Sequence, residues 1–409
     1  MFHVMALASL IALAGCHRQA DAPGDAPTNL KVEPGEGRVT VSWDQQPGLT
    51  YWIFFQAGST VTAAAPGVPL IFDVQSPRVV AGLTNGTQYA VVMNATNKDS
   101  PAGPSTPVVP AVPRLAGASW TSGLSLGPQD LNGVAYNPTL NKLVAVGNAG
   151  TIFAGDFNYT STDPPGVTAW TPATSIPTGF ASDLSAVTFS GSAFVALGTD
   201  GSILTSPDGN TWTAATSVPS GGMNSIASGI VSGAVVYAAV GNGGKIFTSA
   251  DLVTWTTVST TGSDLYNVSF PKDTFLATGA NGTLLTSTDA SVWTLQISNT
   301  PNALRGATYG TGSAGASYVV VGDSGTILTS TDGTSWSLIT PAPLLQDLRA
   351  VRFGSRFVAV GQGGAVVYSD DAINWSLSSV PGSPDLASII FTPAMYLAVG
   401  ASGANAVSK

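Results

Sequence analysis

The sequence predicts an all-β chain, a β-sandwich followed by a seven-bladed β-propeller, and three observations carry that prediction. A glycine pair, G-x-x-G, recurs at Gly147/Gly150, Gly198/Gly201, Gly241/Gly244, Gly279/Gly282, Gly322/Gly325, Gly361/Gly364 and Gly400/Gly403. Successive copies lie about 38 to 51 residues apart, the length of one four-stranded propeller blade. Most copies are followed by a second element, S-x-D-x-x-x-W. Composition agrees: of 409 residues 47 are glycine and only 9% are charged, against roughly 25% in an average soluble protein, which suits a β-rich exported chain with a neutral surface.

From the N-terminus, an apolar run from Val4 to Leu13 leads into Leu13-Ala14-Gly15-Cys16. Small residues closing such a run are what an export signal requires. The tetrapeptide resembles the lipobox of bacterial lipoproteins. The resemblance implies a signal peptide over residues 1–15, lipidation of Cys16, and a lipid anchor in the bacterial cell envelope. His17 follows where an Asp would favour the inner membrane, which points to the outer membrane. The alternative is a free thiol beside an ordinary cleavage site. Cys16 is the single cysteine, so the exported domains have no disulfides and must be held by core burial and sheet closure. Residues 16–26, rich in Ala, Asp, Gly and Pro, read as a flexible tether.

Residues 27–113 form the sandwich domain. Val39-Thr40-Val41-Ser42-Trp43 alternates apolar and polar residues as a half-buried strand does. Leu83-Thr84-Asn85-Gly86-Thr87-Gln88-Tyr89 leads into the apolar strand Tyr89–Ala95, and Ser100–Ser105 reads as a last hairpin. This segment resembles a fibronectin type III domain, which implies a core role for Trp43 and a corner role for Tyr89 between the sheets. Pro104, Pro107, Pro110 and Pro113 then predict a semi-rigid linker.

Residues 114–409 form the propeller. Blades mostly start with Asp-Leu, at Asp130, Asp183, Asp264, Asp347 and Asp385, with variants at Asn224 and at Ala303-Leu304. One alternating strand follows, then a second that runs into G-x-x-G, a third that ends in the S-x-D-x-x-x-W turn, and a fourth that carries the tryptophan. The turn residues are Asp208/Trp212, Asp251/Trp255, Asp289/Trp293, Asp332/Trp336 and Asp371/Trp375, with a stretched version from Ser161 and Asp163 to Trp170. An aspartate there accepts backbone N–H bonds, and the indole fills the wedge between blades. The motif resembles the Asp-box, or BNR repeat, of sialidases, sortilin-type receptors and photosystem II assembly-factor propellers, where it is a folding element. Calcium binding is the minor alternative, strongest at Asp370-Asp371. The last repeat lacks a tryptophan strand while Ala118-Ser119-Trp120-Thr121 supplies one before the first blade, so the N-terminal strand is expected to complete the C-terminal blade.

The chemistry is bounded by elimination. From Arg114 onward there is no histidine, cysteine or glutamate, which excludes a Ser-His-Asp triad, a Cys-His pair, a His-ligated metal site and any Glu nucleophile. The net charge of −9 argues against nucleic acid. No cofactor or metal is expected. The repeats from Asp347 to Gly364 are similar to those of the photosystem assembly-factor propellers, and that resemblance implies protein binding without catalysis. Residues just after each Asp-Leu start fall near the channel mouth: Asn132, Ser185, Tyr266, Arg305, Arg349 and Ala387. Arg305 and Arg349 beside Tyr266 have the composition of a binding hot spot, while the competing reading pairs both arginines with Asp347 and Asp264. The expectation is a lipid-anchored, non-catalytic platform that binds an envelope or extracellular protein in assembly or adhesion. A carbohydrate-binding protein and a degenerate sialidase-like hydrolase are the alternatives.

Overall fold

The computed structural model describes residues 23–97, 103–158, 166–167, 169–218, 220–258 and 262–409. Cys16, the signal peptide, Ser161 and Asp163 lie outside the described residues, as does part of the hairpin at 100–105. No described helix is long and apolar enough to cross a membrane. The chain divides into two compact units, one built on most of residues 23–112 and the other on 113–409 together with 34–38 and 79–85.

The strands of residues 31–111 form two sheets. One contains Lys31–Gly35, Arg38–Ser42 and Arg78–Ala81 in that order, the other Leu70–Phe72, Thr50–Ala57, Tyr89–Thr96 and Val109–Ala111. Alternation does what it predicts: Val39 and Val41 are fully buried and Trp43 is in the core, its ring 5.4 Å from that of Tyr51. The proline-rich segment is a correction to the linker reading. Residues Val109–Ala111 pair with Tyr89–Val91 as an edge strand, a place that tolerates Pro110 because its missing N–H takes no ladder bond.

The propeller consists of seven blades, each a four-stranded sheet except blade 1, which has five strands among the described residues. Their innermost strands are Leu131–Asn137, Leu184–Phe189, Met223–Val231, Leu265–Ser269, Leu304–Gly312, Leu348–Phe353 and Leu386–Thr392, defining blades 1 to 7. In blades 2 to 6 the strands pair in chain order from the channel outward, while in blade 1 both Gly166–Val167 and Thr171–Pro172 pair with Ile152–Asn158. Second strands such as Phe194–Gly198 and Phe357–Gly361 are apolar and buried throughout, because both faces pack against a neighbouring blade. One cluster joins Val319, Val321 and Ile327 of blade 5 to Leu348, Val351 and Ala359 of blade 6. Closure follows the expectation from counting strands: Thr121–Ser122 pairs with Ala406–Val407 and supplies the outer strand of blade 7.

The two repeated motifs are both structural. In the Gly361/Gly364 turn, Gly364 has φ +70, and a Cβ on the extended Gly361 would collide with the carbonyl oxygen of Asp347. The Asp-Leu aspartates then staple blades together. Asp183 Oδ1 accepts the Ala149 N–H of the preceding blade's turn at 2.7 Å, Asp264 takes Gly243 at 2.7 Å, Asp347 takes Ser324 at 2.9 Å and Asp385 takes Gly363 at 2.8 Å. Asp130 takes Ser402 of blade 7 at 2.8 Å and so closes the ring.

In the outer turns, Asp208 Oδ1 accepts the N–H groups of Asn210 and Thr211, both at 2.8 Å, and Ser206 Oγ accepts that of Gly209 at 2.8 Å. The Trp212 indole donates to Gly209 O at 3.0 Å. Trp293, Trp336 and Trp375 repeat that bond, whereas Trp255 reaches Thr216 O instead. The closure rebuilds the same turn from both ends of the propeller. Gly117 N–H donates to Ser408 Oγ at 2.7 Å and the Trp120 indole donates to Gly117 O at 2.9 Å, with buried Ala116 in the aspartate's place.

Candidate binding site at the central channel

Every innermost strand begins with a β-bulge. In blade 2 Leu184 lies opposite Gly198 and Ala186 opposite Leu197, so Ser185 has no partner on the second strand. The same shift recurs in the other six blades. A bulge re-aims the extra side chain, and these seven residues are Asn132, Ser185, Asn224, Tyr266, Arg305, Arg349 and Ala387, all lining one central cavity of about 650 Å³. Six of them were expected at the mouth. Asn224 was not, because its blade starts Gly222-Met223 and the Asp-Leu marker is missing; the signal that could have found it is Met223, buried in the leucine slot.

Blade by blade, the ring residue tends to pair with the first residue after the glycine turn's opening. Asn132 Nδ2 donates to Asn148 Oδ1 at 2.8 Å, and Asn224 Nδ2 to Asn242 Oδ1 at 2.8 Å. Each amide also donates to the leucine carbonyl of the next blade, Asn132 to Leu184 and Asn224 to Leu265. In blade 5 the same two positions hold Arg305 and Asp323, joined by a bidentate ion pair whose hydrogen bonds raise the Arg305 pKa against the opposing effect of burial. The Arg305 guanidinium lies over the Tyr266 ring at 4.9 Å. Arg349 instead crosses to blade 7, donating to Asp385 Oδ2 at 3.1 Å.

These partners correct the pairing expected from sequence. Arg305 and Arg349 are in ion pairs, but with Asp323 and Asp385; Asp347 and Asp264 direct Oδ1 to the backbone N–H groups of Ser324 and Gly243. Arg356 is separate from the site: 9% exposed, it grips Asp370 with two bonds of 2.8 and 3.0 Å and stacks on Tyr368. That pairing also takes Asp370 away from Asp371, whose Oδ1 accepts the Ile373 and Asn374 N–H groups. Among the described residues no cluster of three metal-ligating side chains occurs.

The turn aspartates have depressed pKa values. Partial desolvation pulls Asp371 upward, but hydrogen bonds from the Asn374 backbone and side chain and from Ile373 outweigh it and bring the carboxyl to about 2. The Ser291 hydroxyl and the Val292 N–H lower Asp289, and the N–H groups of Ser335 and Thr334 lower Asp332. At Asp208 the bonds from Thr211 and Asn210 likewise overcome desolvation, and Asp251 is lowered by Thr254 and Val253. All five carboxylates are committed to folding.

No protein-family model and no curated protein sequence matches the chain. Solved structures do. YCF48 from Cyanidioschyzon merolae is similar with a TM-score of 0.53 and 18% identity, over 71% of this chain and 98% of that one. A YCF48 bound to D1 peptide gives 0.55 and 16%, over 70% and 96%. A virginiamycin B lyase from Staphylococcus aureus, inactivated by a histidine-to-alanine substitution and solved with quinupristin, gives 0.58 and 14%, over 71% and 99%. At these identities the likeness establishes the β-propeller fold, and it does so for a binding protein and an enzyme alike.

Proposed function

We propose that the chain is a lipid-anchored bacterial envelope protein whose propeller is a non-catalytic protein-binding platform, held off the membrane by the fibronectin-like domain. Arg305 stacked on Tyr266, with Arg349 on the next blade and all three re-aimed into the channel by bulges, is the observation that carries the reading. Stacked, preorganised guanidinium and phenol groups are the side chains most enriched in binding hot spots. Two facts support it. YCF48, with the same fold, has been solved with a peptide bound. The histidine whose loss inactivates the lyase relative has no counterpart type here, since residues 114–409 contain none.

The test is capture of partners from native envelopes by the tagged protein, wild type against a folded Tyr266→Ala, Arg349→Ala double variant. A protein enriched by wild type and lost from the variant supports the platform and its site. Equal enrichment moves the site elsewhere. Turnover of a glycoside or peptidic lactone panel that survives extensive purification would overturn the non-catalytic reading.

A further inference from the structure

The junction between blades 4 and 5 lacks what fastens most of the others. Six glycine turns share one 3-10 conformation. In five of them the middle N–H is taken by the Asp-Leu aspartate of the next blade, Asp130, Asp183, Asp264, Asp347 or Asp385. The sixth is the blade 4 turn Ala280–Gly282, and the residue that faces it is Ala303. Its backbone is in the aspartate's place, since Asp323 N–H donates to Ala303 O at 2.9 Å as Gln362 N–H does to Asp347 O. Only the carboxylate is missing, so the Asn281 N–H has none to donate to. The blade 2 turn also faces no aspartate, but there the Gly222 and Met223 N–H groups both donate to Thr199 O, at 2.7 and 3.1 Å.

The core of the same junction supplies an independent observation. The residue before the last glycine of each second strand packs toward the next blade, and Val146, Leu197, Val240, Val321, Val360 and Val399 are fully buried there. In blade 4 that residue is Thr278, equally buried. Leu276, two residues earlier and so on the same face, packs on Leu304 and Val320 of blade 5. Asn267 and Ser269 lie opposite Thr278 and Leu276 on the inner strand and share that face. Thr278 Oγ1, Asn267 Oδ1 and Ser269 Oγ are withdrawn from solvent with no hydrogen-bond partner, three of the five such side-chain atoms among the described residues of 113–409. At the junction of blades 3 and 4 the corresponding Ser225 Oγ does find an acceptor, Val268 O at 3.4 Å. Unpaired polar atoms in a packed interface are costly only while it stays shut, because water satisfies them once it parts.

We propose that the propeller ring has a built-in seam, and that it parts reversibly between blades 4 and 5. The alternative place to open is where the two ends of the propeller chain meet. That junction is well fastened: Thr121–Ser122 pairs with Ala406–Val407, Asp130 holds Ser402, and Asn405 Nδ2 donates to Leu124 O at 2.6 Å. Tyr266 stands on blade 4 and Arg305 on blade 5, so their stacked contact at the channel mouth spans the seam and is broken when it parts. Opening therefore switches the mouth between an assembled and a divided arrangement. It is a property of the ring itself and stands whether or not the mouth binds a protein.

Hydrogen exchange read by mass spectrometry on the whole protein tests it. Phe275–Gly279 of blade 4 and Gly315–Gly322 of blade 5 should exchange faster than the matching strands Phe357–Gly361 and Met395–Gly400 of blades 6 and 7. Thr278→Val should slow exchange in blades 4 and 5 by about tenfold and raise the melting temperature, because it removes an unpaired buried hydroxyl. Ala303→Asp, which writes in the missing carboxylate, should slow it by less. The reverse change, Val360→Thr, should carry the fast exchange to blades 6 and 7. Fastest exchange at blades 7 and 1, or a Thr278→Val protein that exchanges no more slowly than wild type, would overturn the proposal.

Discussion

Around the outside of the propeller the Ser-x-Asp-x-x-x-Trp turns repeat nearly bond for bond, whereas at the channel mouth seven bulges of the same register carry asparagine, serine, tyrosine, arginine and alanine. Both sets sit at fixed points of one repeating unit. The outer residues are uniform because each must satisfy the same orphan N–H groups and fill the same wedge between blades. Ring side chains project into a cavity, where folding sets no common demand, and they are free to differ. Uniform positions therefore carry stability, and the varied ones are where the proposed recognition would lie.

The comparison breaks most visibly at Trp336. Its indole is 6% exposed, and packs with Tyr318 and Leu328. Trp336→Ala should cost about 3–5 kcal/mol, read as a lowered melting transition of the propeller by calorimetry. Tyr266→Ala, at the mouth, should cost less than about 1 kcal/mol in the same measurement, since its ring faces the cavity. Equal losses would mean that the ring is structural too.

A smaller effect is expected at Asp208, whose carboxylate satisfies two backbone N–H groups in the way a helix cap does. Asp208→Ala should destabilise by about 1 kcal/mol, and Asp208→Asn by less, because the amide oxygen still accepts both bonds.

The same turns set the acid limit. A carboxyl whose folded pKa is depressed contributes stability above its ordinary value and loses it as pH falls toward the folded value. Asp371 runs from an ordinary 3.8 to about 2, and Asp208, Asp251, Asp289 and Asp332 are lowered with it. The melting temperature should therefore hold from neutrality down to the ordinary aspartate range and drop between there and about pH 2. Asp371→Asn should be less stable than wild type at neutral pH and should flatten that drop, which a melting series across pH would show.

What the sequence disclosed follows the same division. Blade number and the roles of Asp208, Trp212 and their equivalents were readable because each is fixed by contacts within one repeat, and the closing strand because a strand missing from the last repeat is present before the first. The bulges were not: an extra residue in a strand leaves no compositional mark, so Asn224 was read as a variant blade start, whereas it is the bulged residue after Gly222-Met223. The competing reading that paired both arginines with Asp347 and Asp264 missed the partners, because Asp323 comes beside Arg305 across the bulge and Asp385 beside Arg349 across a blade boundary, neither of which spacing in the chain shows.

The smallest expected effect on stability is the sharpest on function. Arg349 and Asp385 are each about one third exposed, and such pairs contribute between nothing and about 1 kcal/mol. Asp385 also keeps the Gly363 N–H on its other oxygen, so the blade 6 to blade 7 staple survives the loss of the guanidinium. Arg349→Ala should accordingly shift the melting transition by less than about 0.5 kcal/mol equivalent, while reducing partner capture far more than Asp208→Ala does. Were Arg349→Ala to retain capture in full and Asp208→Ala to lose it, recognition would lie on the outer turns, and the uniformity of those turns would need a second explanation beyond folding.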